Sequence, residues 1–205
     1  MEGVLDLYAE PEDPLRPRVC FDECPYQLIA EVRASEPTQP GRPARHDYEY
    51  RRQGTCNLFV CVQPHVGWRH VQVTEHRTKL DFAQCMKDLV DVHFPDATVI
   101  RVVLDNLNTH TLAALYEAFE PAEARRIAHR LELHYTPKHG SWLNMAEIEL
   151  SVLSDQCLDR RLPDIATVRT EVAAWQAQRN AAHATINWHF DTQQARTKLK
   201  RLYPS

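Results

Sequence analysis

The octapeptide at 98–105, TVIRVVLD, is the segment that most restricts how the chain can fold. It is short, β-branched and almost wholly apolar, the pattern of a central strand covered on both faces. Such a strand requires helices on either side of its sheet, and helical periodicity brackets it. Ahead of it, Leu80, Ala83, Met86, Leu89 and Val90 share one face of a segment that opens on a Thr78/Asp81 capping pair and stops at Pro95. Behind it come TLAALYEAF and PAEARRIAHR, with Pro121 suited to a first helical turn.

The remaining segments complete an α/β alternation. Strands are expected at residues 18–22, in PYQLIAEVR, in the hairpin formed by NLFVCVQP and GWRHVQVTEH around the Pro64–Gly67 turn, and in LELHYTP. Between the second and third lies ASEPTQPGRPARHD, whose prolines and glycine exclude regular structure and whose length suits a functional loop. SWLNMAEIELSVLSDQCLDR is predicted as one long helix. A second follows Asp164, with Ile165, Val168, Val172 and Trp175 on one face. Residues 1–17, rich in Pro, Asp and Glu, predict an extended lead-in; 18–190 form the main domain and 191–205 a basic tail.

Composition excludes several classes. With 205 residues, 43% hydrophobic and 25% charged, the chain can bury a core without disulfide staples. The six cysteines form no CxxC pair or zinc-like ladder and are expected to be reduced core thiols. No run is long enough for a membrane span and the acidic N-terminus is unlike a signal peptide, so a cytoplasmic, nucleoid-associated protein without a membrane partner is expected. A formal charge of −4 argues against a chain that coats nucleic acid by charge alone, while leaving local basic tracks open.

Three acids stand out. Asp22 ends the run RVCFD, Asp105 ends TVIRVVLD, and Glu147 lies four residues after Leu143 and three before Leu150, on the apolar stripe of its predicted helix. Glu149, about 200° further round, is expected to face solvent. Were the three carboxylates to converge to about 5 Å, each pair would repel by roughly 3 kcal/mol at an effective dielectric near 20. That repulsion is relieved by hard cations, so two Mg²⁺ or Mn²⁺ ions and phosphodiester chemistry are the expected use. Carboxyl ends of neighbouring strands form a crevice where ligands gather. Each acid taken alone is more often a cap, a turn former or a stripe-edge residue than a functional group.

The blocks VCFDECPYQLIAEVR, PGRPARHDYEYRRQGTCNLFV, GWRHVQVTEHRT, VVLDNLNTH, HYTPKHGSWLNMAEIELSVL and NWHFDTQQARTKLKRLYP resemble the catalytic domain of bacterial insertion-sequence transposases of the mariner-like DDE superfamily. The resemblance implies an RNase H-like fold, a mixed five-stranded sheet flanked by helices, with Asp22, Asp105 of the DNxxxH block and Glu147 of LNxxE as catalytic, metal-binding acids. It also implies cut-and-paste transposition: cleavage of double-stranded DNA at the transposon ends and transfer to a target TA site. The expected protein partners are a second copy of the chain and a separate helix-turn-helix chain that recognises the DNA, since members of the family carry such a region ahead of the catalytic domain. A truncated fragment that binds DNA or oligomerises without cutting is the alternative. The stretch between Asp105 and Glu147 is longer than is usual in the family, which an added helical turn near 120–130 would explain.

Supporting residues follow from position. The resemblance sets Asn106 and His110 beside the acids, to orient a carboxylate or touch phosphate; a helix cap at Asn108 or Thr109 is the plainer use of that loop. Lys138 and His139 precede the Glu147 helix, where a helix N-terminus favours anions. Arg42, Arg45, Arg51 and Arg52, interleaved with Tyr48 and Tyr50, suit DNA backbone contact and stacking, or a solvated face. Glu23 projects to the opposite side of the strand from Asp22. The four tryptophans read as packing residues.

Overall fold

Strand β1 (Arg18–Glu31) is continuous over 14 residues, where the sequence suggests two strands broken near Pro25. Proline is tolerated because β1 pairs with β4 (Ile100–Leu104) only through Arg18–Cys20, so at Pro25 the strand has a single neighbour. That neighbour is β2 (Tyr50–Gln63), antiparallel, with a register shift between Gln27 and Ile29. Strand β3 (Trp68–Thr74) extends the antiparallel side, and β5 (Leu131–Tyr135) adds to β4 in parallel. The order is β3-β2-β1-β4-β5, a mixed five-stranded RNase H-like sheet in a computed structural model that describes residues 1–33, 39–41 and 48–202.

Helices cover both faces, as the apolar β4 requires. On one face, α2 (Lys79–Asp88), α3 (Ala113–Ala118) and α4 (Pro121–Ala128) pack over Val19, Phe21, Phe59, Val102 and Leu104. The Thr78/Asp81 capping box opens α2 as predicted, but Leu80 is exposed because the buried face runs through Phe82, Ala83, Cys85 and Met86. On the other face, α5 (Ala146–Leu153) and α6 (Ile165–Ala181) pack on Leu58, Val60 and Val71. Val168, Val172 and Trp175 are buried as the periodicity predicts, and Asp164 accepts from Thr167 N at 2.8 Å as the N-cap. Fully burying one such large apolar side chain stabilises by about 1.5–3 kcal/mol, so each face contributes many times that against chain entropy.

The lead-in is not extended throughout. Glu2–Ala9 forms α1, whose Val4, Leu5, Leu7 and Tyr8 are buried, and α7 (Thr192–Lys198) from the basic tail joins the same cluster through Ala195. Residues 10–12 carry charge that the sheet needs. Arg18 and Arg101 are register neighbours on β1 and β4, each only 2% exposed, and Glu12 and Glu10 pair with them. Arg101 also donates to Arg16 O at 2.6 Å. The one polar residue inside the apolar run of β4 is thus neutralised by the segment that precedes β1, which offsets the cost of burying two like charges side by side. All six cysteines are free thiols. Of the tryptophans, Trp175 is buried, whereas Trp142 is 43% exposed against the Phe190 ring. Among the described residues no helix is long and apolar enough to cross a membrane.

Candidate active site

Alternation along β1 sends Phe21 and Glu23 toward α2 and Asp22 toward the opposite face. Asp22 lies two residues past the last β1–β4 pair while still paired with Val60 of β2, and Asp105 directly follows β4, so both acids sit where β1 and β4 part. The Asp22 carboxylate accepts from Glu23 N at 2.9 Å and from Asn144 Nδ2 at 3.3 Å. Burial pushes its pKa up to about 7 against the backbone hydrogen bond, and the negative charges of Glu147, Glu23 and Asp105 push in the same direction as burial. The charges of the other two acids singled out in the sequence therefore reach Asp22.

Asn144 sets the third acid's position. Its amide nitrogen donates to Phe21 O at 2.8 Å, and its Oδ1 accepts from Ala146 N at 3.2 Å, tying the start of α5 to β1 beside Asp22. The predicted long helix is accordingly broken. A 3-10 turn covers Ser141–Leu143, Asn144 is extended, α5 begins at Ala146, and a π-turn follows at Ser154–Leu158. This restart resets the helical phase. Ala146, Glu149, Leu153 and Cys157 form the buried side, and Glu147 is exposed, the reverse of the expectation that counted the stripe from Leu143.

Glu149 is fully buried and meets Arg69 Nε at 2.7 Å and Arg179 Nε at 3.0 Å, joining α5 to β3 and α6. Its charge serves packing. Glu147, one residue step of about 100° from Ala146, is left on the side that raises Asp22.

His110 was expected beside the acids, and it is buried with its ring against Phe21 and Phe82 at centroid distances of 5.2 and 5.0 Å. Its Nδ1 lies 2.6 Å from Asp105 Oδ1, and its Nε2 lies 2.8 Å from Glu23 Oε2 in an ion-pair contact without hydrogen-bond alignment. Burial lowers its pKa, but the Glu23 contact and the charges of Glu23 and Asp105 outweigh it, so the net shift is upward. Asn106 is exposed. Beside Asp105 opens a cavity of about 460 Å³ lined by Asn106, Thr136, Lys138, His139 and Ser141. Its rim is a tight loop: His139 has φ +62°, and a Cβ on Gly140 would meet Pro137 Cγ at 2.7 Å.

Not every candidate gathers here. Arg51 and Arg52 are exposed on the far part of the β1–β2 arm, paired with Ala30 and Ile29, seven to eight residues along β1 from Asp22 and so about 25 Å away. Arg42 and Arg45 lie outside the described residues. Among the described residues no three His, Cys, Asp or Glu side chains are gathered closely enough to hold a metal ion. The donor chemistry nevertheless suits a hard divalent cation: three carboxylates and an amide, with one acid raised toward neutral pH chiefly by burial and further by the charges of its neighbours. Two residues escaped the sequence reading. Asn144 carried a signal, an Asx residue just ahead of a helix; Glu23 carried none, because its contact is made through His110.

Sheet order, the parallel β1/β4/β5 side and the helices on both faces define an RNase H-like α/β domain. The chain belongs to the DDE superfamily endonuclease family, whose model matches residues 17–169. Its fold is similar to a crystal structure of the Mos1 mariner paired-end complex with Mn, at a TM-score of 0.55 and 17% identity over 89% of this chain and 56% of that one. A Mos1 strand transfer complex gives 0.58 and 17% over 89% and 54%, and a pre-cleavage Mos1 transpososome 0.54 and 16% over 89% and 59%. The chain thus spans little more than half the length of these relatives. No curated protein matches it in sequence.

Proposed function

We propose that this chain is a transposase catalytic domain in which Asp22, Asp105 and Glu147 hold two Mg²⁺ or Mn²⁺ ions and cut double-stranded DNA at transposon ends, then join the 3′ end to a TA target. The observation that carries the reading is the environment of Asp22, pushed up to about 7 by burial and further by the charges of Glu147 and Asp105. Family membership and the fold shared with the Mos1 paired-end and strand transfer complexes support it. When bound, the ions supply activation of the attacking hydroxyl and stabilisation of the leaving oxygen in an in-line displacement.

The chain's own groups supply the rest. Asp22 is fixed by Glu23 N and Asn144, and Asp105 by His110, so two of the three acids are already oriented. Glu147 is exposed on the first turn of α5, and its side-chain rotations bring the carboxylate to or away from the others. Lys138 and His139, on the rim of the cavity beside Asp105, suit contacts to the phosphates flanking the scissile bond, and Arg51 and Arg52 suit DNA backbone further out. The second reading, a fragment that binds DNA or pairs with another copy without cutting, is favoured by the separation of the acids, which do not by themselves close into a metal-holding group.

Nicking of supercoiled plasmid decides between them. The purified chain is expected to nick with Mn²⁺ or Mg²⁺ and to stop with EDTA. Asp105→Asn should lower the rate by more than the about 10- to 100-fold that losing a supporting partner costs. Retention of DNA without nicking in either ion would favour the second reading; wild-type rates in Asp105→Asn would refute the site.

A further inference from the structure

We infer that Glu23 is a positioning residue for Asp105, acting through His110. The inference rests on the proposed metal-binding role of Asp105 and adds a residue to it. Three contacts carry it. The Glu23 side chain is 1% exposed and its Oε2 sits 2.8 Å from His110 Nε2; the other ring nitrogen, Nδ1, sits 2.6 Å from Asp105 Oδ1. The imidazole is packed between the two carboxylates, with Phe21 edge-on to its ring and Phe82 stacked on it at an interplanar angle of 30°, and Tyr135 Oη holds the His110 backbone by donating to its O at 2.7 Å.

The three residues come from separate places. Glu23 is on the α2 side of β1, His110 follows the turn after β4, and Asp105 is at the carboxyl end of β4. The contacts therefore run round the end of the sheet and connect its two faces. Their consequence is geometric. With Oδ1 engaged by His110, the Asp105 carboxylate is restrained through one oxygen, while its side chain remains 31% exposed beside the cavity. A buried Glu beside a buried His is costly unless the charges are paired, and here Arg77 supplies Glu23 with a second, half-exposed partner at 3.4 Å. Carboxylates that back a ligand-bearing group in this way fix its orientation.

Two variants and two readouts test the inference. Glu23→Ala removes the contact; Glu23→Gln keeps an acceptor oxygen at the same reach and remains informative if the alanine variant folds poorly. The metal-free readout is the ¹⁵N and ¹H resonances of the His110 ring: the Nδ1 signal that reports the Asp105 contact is expected to shift and broaden in Glu23→Ala and to recover in Glu23→Gln. The second readout is Mn²⁺ affinity by calorimetry, expected to fall about 10- to 100-fold in Glu23→Ala and to be largely restored by Gln. A His110 Nδ1 signal unchanged in both variants overturns the inference, as does a Mn²⁺ affinity in Glu23→Ala equal to that of a wild type that binds the ion. If wild type binds no Mn²⁺, the metal-site reading fails, and the ring resonances still decide whether Glu23 holds Asp105 through His110.

Discussion

Glu147 and Glu149 sit two residues apart on α5 and are put to opposite uses. Removing the buried one in Glu149→Ala leaves Arg69, fully enclosed, with its nearest countercharge gone, and should cost about 3–5 kcal/mol in denaturant unfolding. Glu147→Ala removes an exposed carboxylate, and its stability should stay within about 0.5 kcal/mol of wild type while DNA nicking is lost. Asp22 gives a pH signature. Its folded pKa of about 7 lies above the ordinary value of 3.8, so its contribution to stability is fully present below about pH 4 and lost as pH rises through 7. In metal-free buffer, Asp22→Asn should therefore gain thermal stability relative to wild type between pH 5 and 8, with the difference growing toward the alkaline end; a difference independent of pH would contradict the assigned environment. Asp22 and Asp105 were legible in the sequence because each ends an apolar run. Which of Glu147 and Glu149 is buried was not, since the helical phase depends on Asn144 leaving the helix to bond Phe21 O.

At the scale of elements, what the sequence conveys best is periodicity closed by a cap. The Thr78/Asp81 box, Asp164 and Pro121 all begin helices where their chemistry indicates. Continuity is conveyed poorly: Pro25 looks like a break, but β1 runs through it because β4 has already ended. The β2–β3 turn shows how elements from distant sequence fix one another. Gly67 has φ +77°, and a Cβ there would lie 2.5 Å from the His183 carbonyl carbon just past α6, while Ile186 N donates to Pro64 O at 2.8 Å. Gly67→Ala should thus cost at least about 1–3 kcal/mol through backbone strain and overpacking, measured as a lower denaturant midpoint. An unchanged midpoint would mean that the α6 terminus is not held against this turn.

For the whole molecule, the termini belong to the fold and not to its margins. The first helix and the basic tail meet in one apolar cluster that also contains Leu143, Met145 and Ala146, directly under the start of α5. The segment between α1 and β1 neutralises the two arginines buried in the sheet centre. Composition alone hides this arrangement, because an acidic, proline-rich stretch looks the same whether it is solvated or committed to buried partners. The α/β class, the layered sheet and its central strand are legible from apolar patterning; the pairing of distant charges is not, since any of many acids could serve a given arginine. The central claim is that side chains at 22, 105 and 147 act as one divalent-cation site. Anomalous diffraction from crystals soaked in Mn²⁺ tests it most directly: peaks are predicted within about 2.1 Å of carboxylate oxygens of Asp22, Asp105 and Glu147, and Mn²⁺ peaks elsewhere with none at these three acids would contradict it.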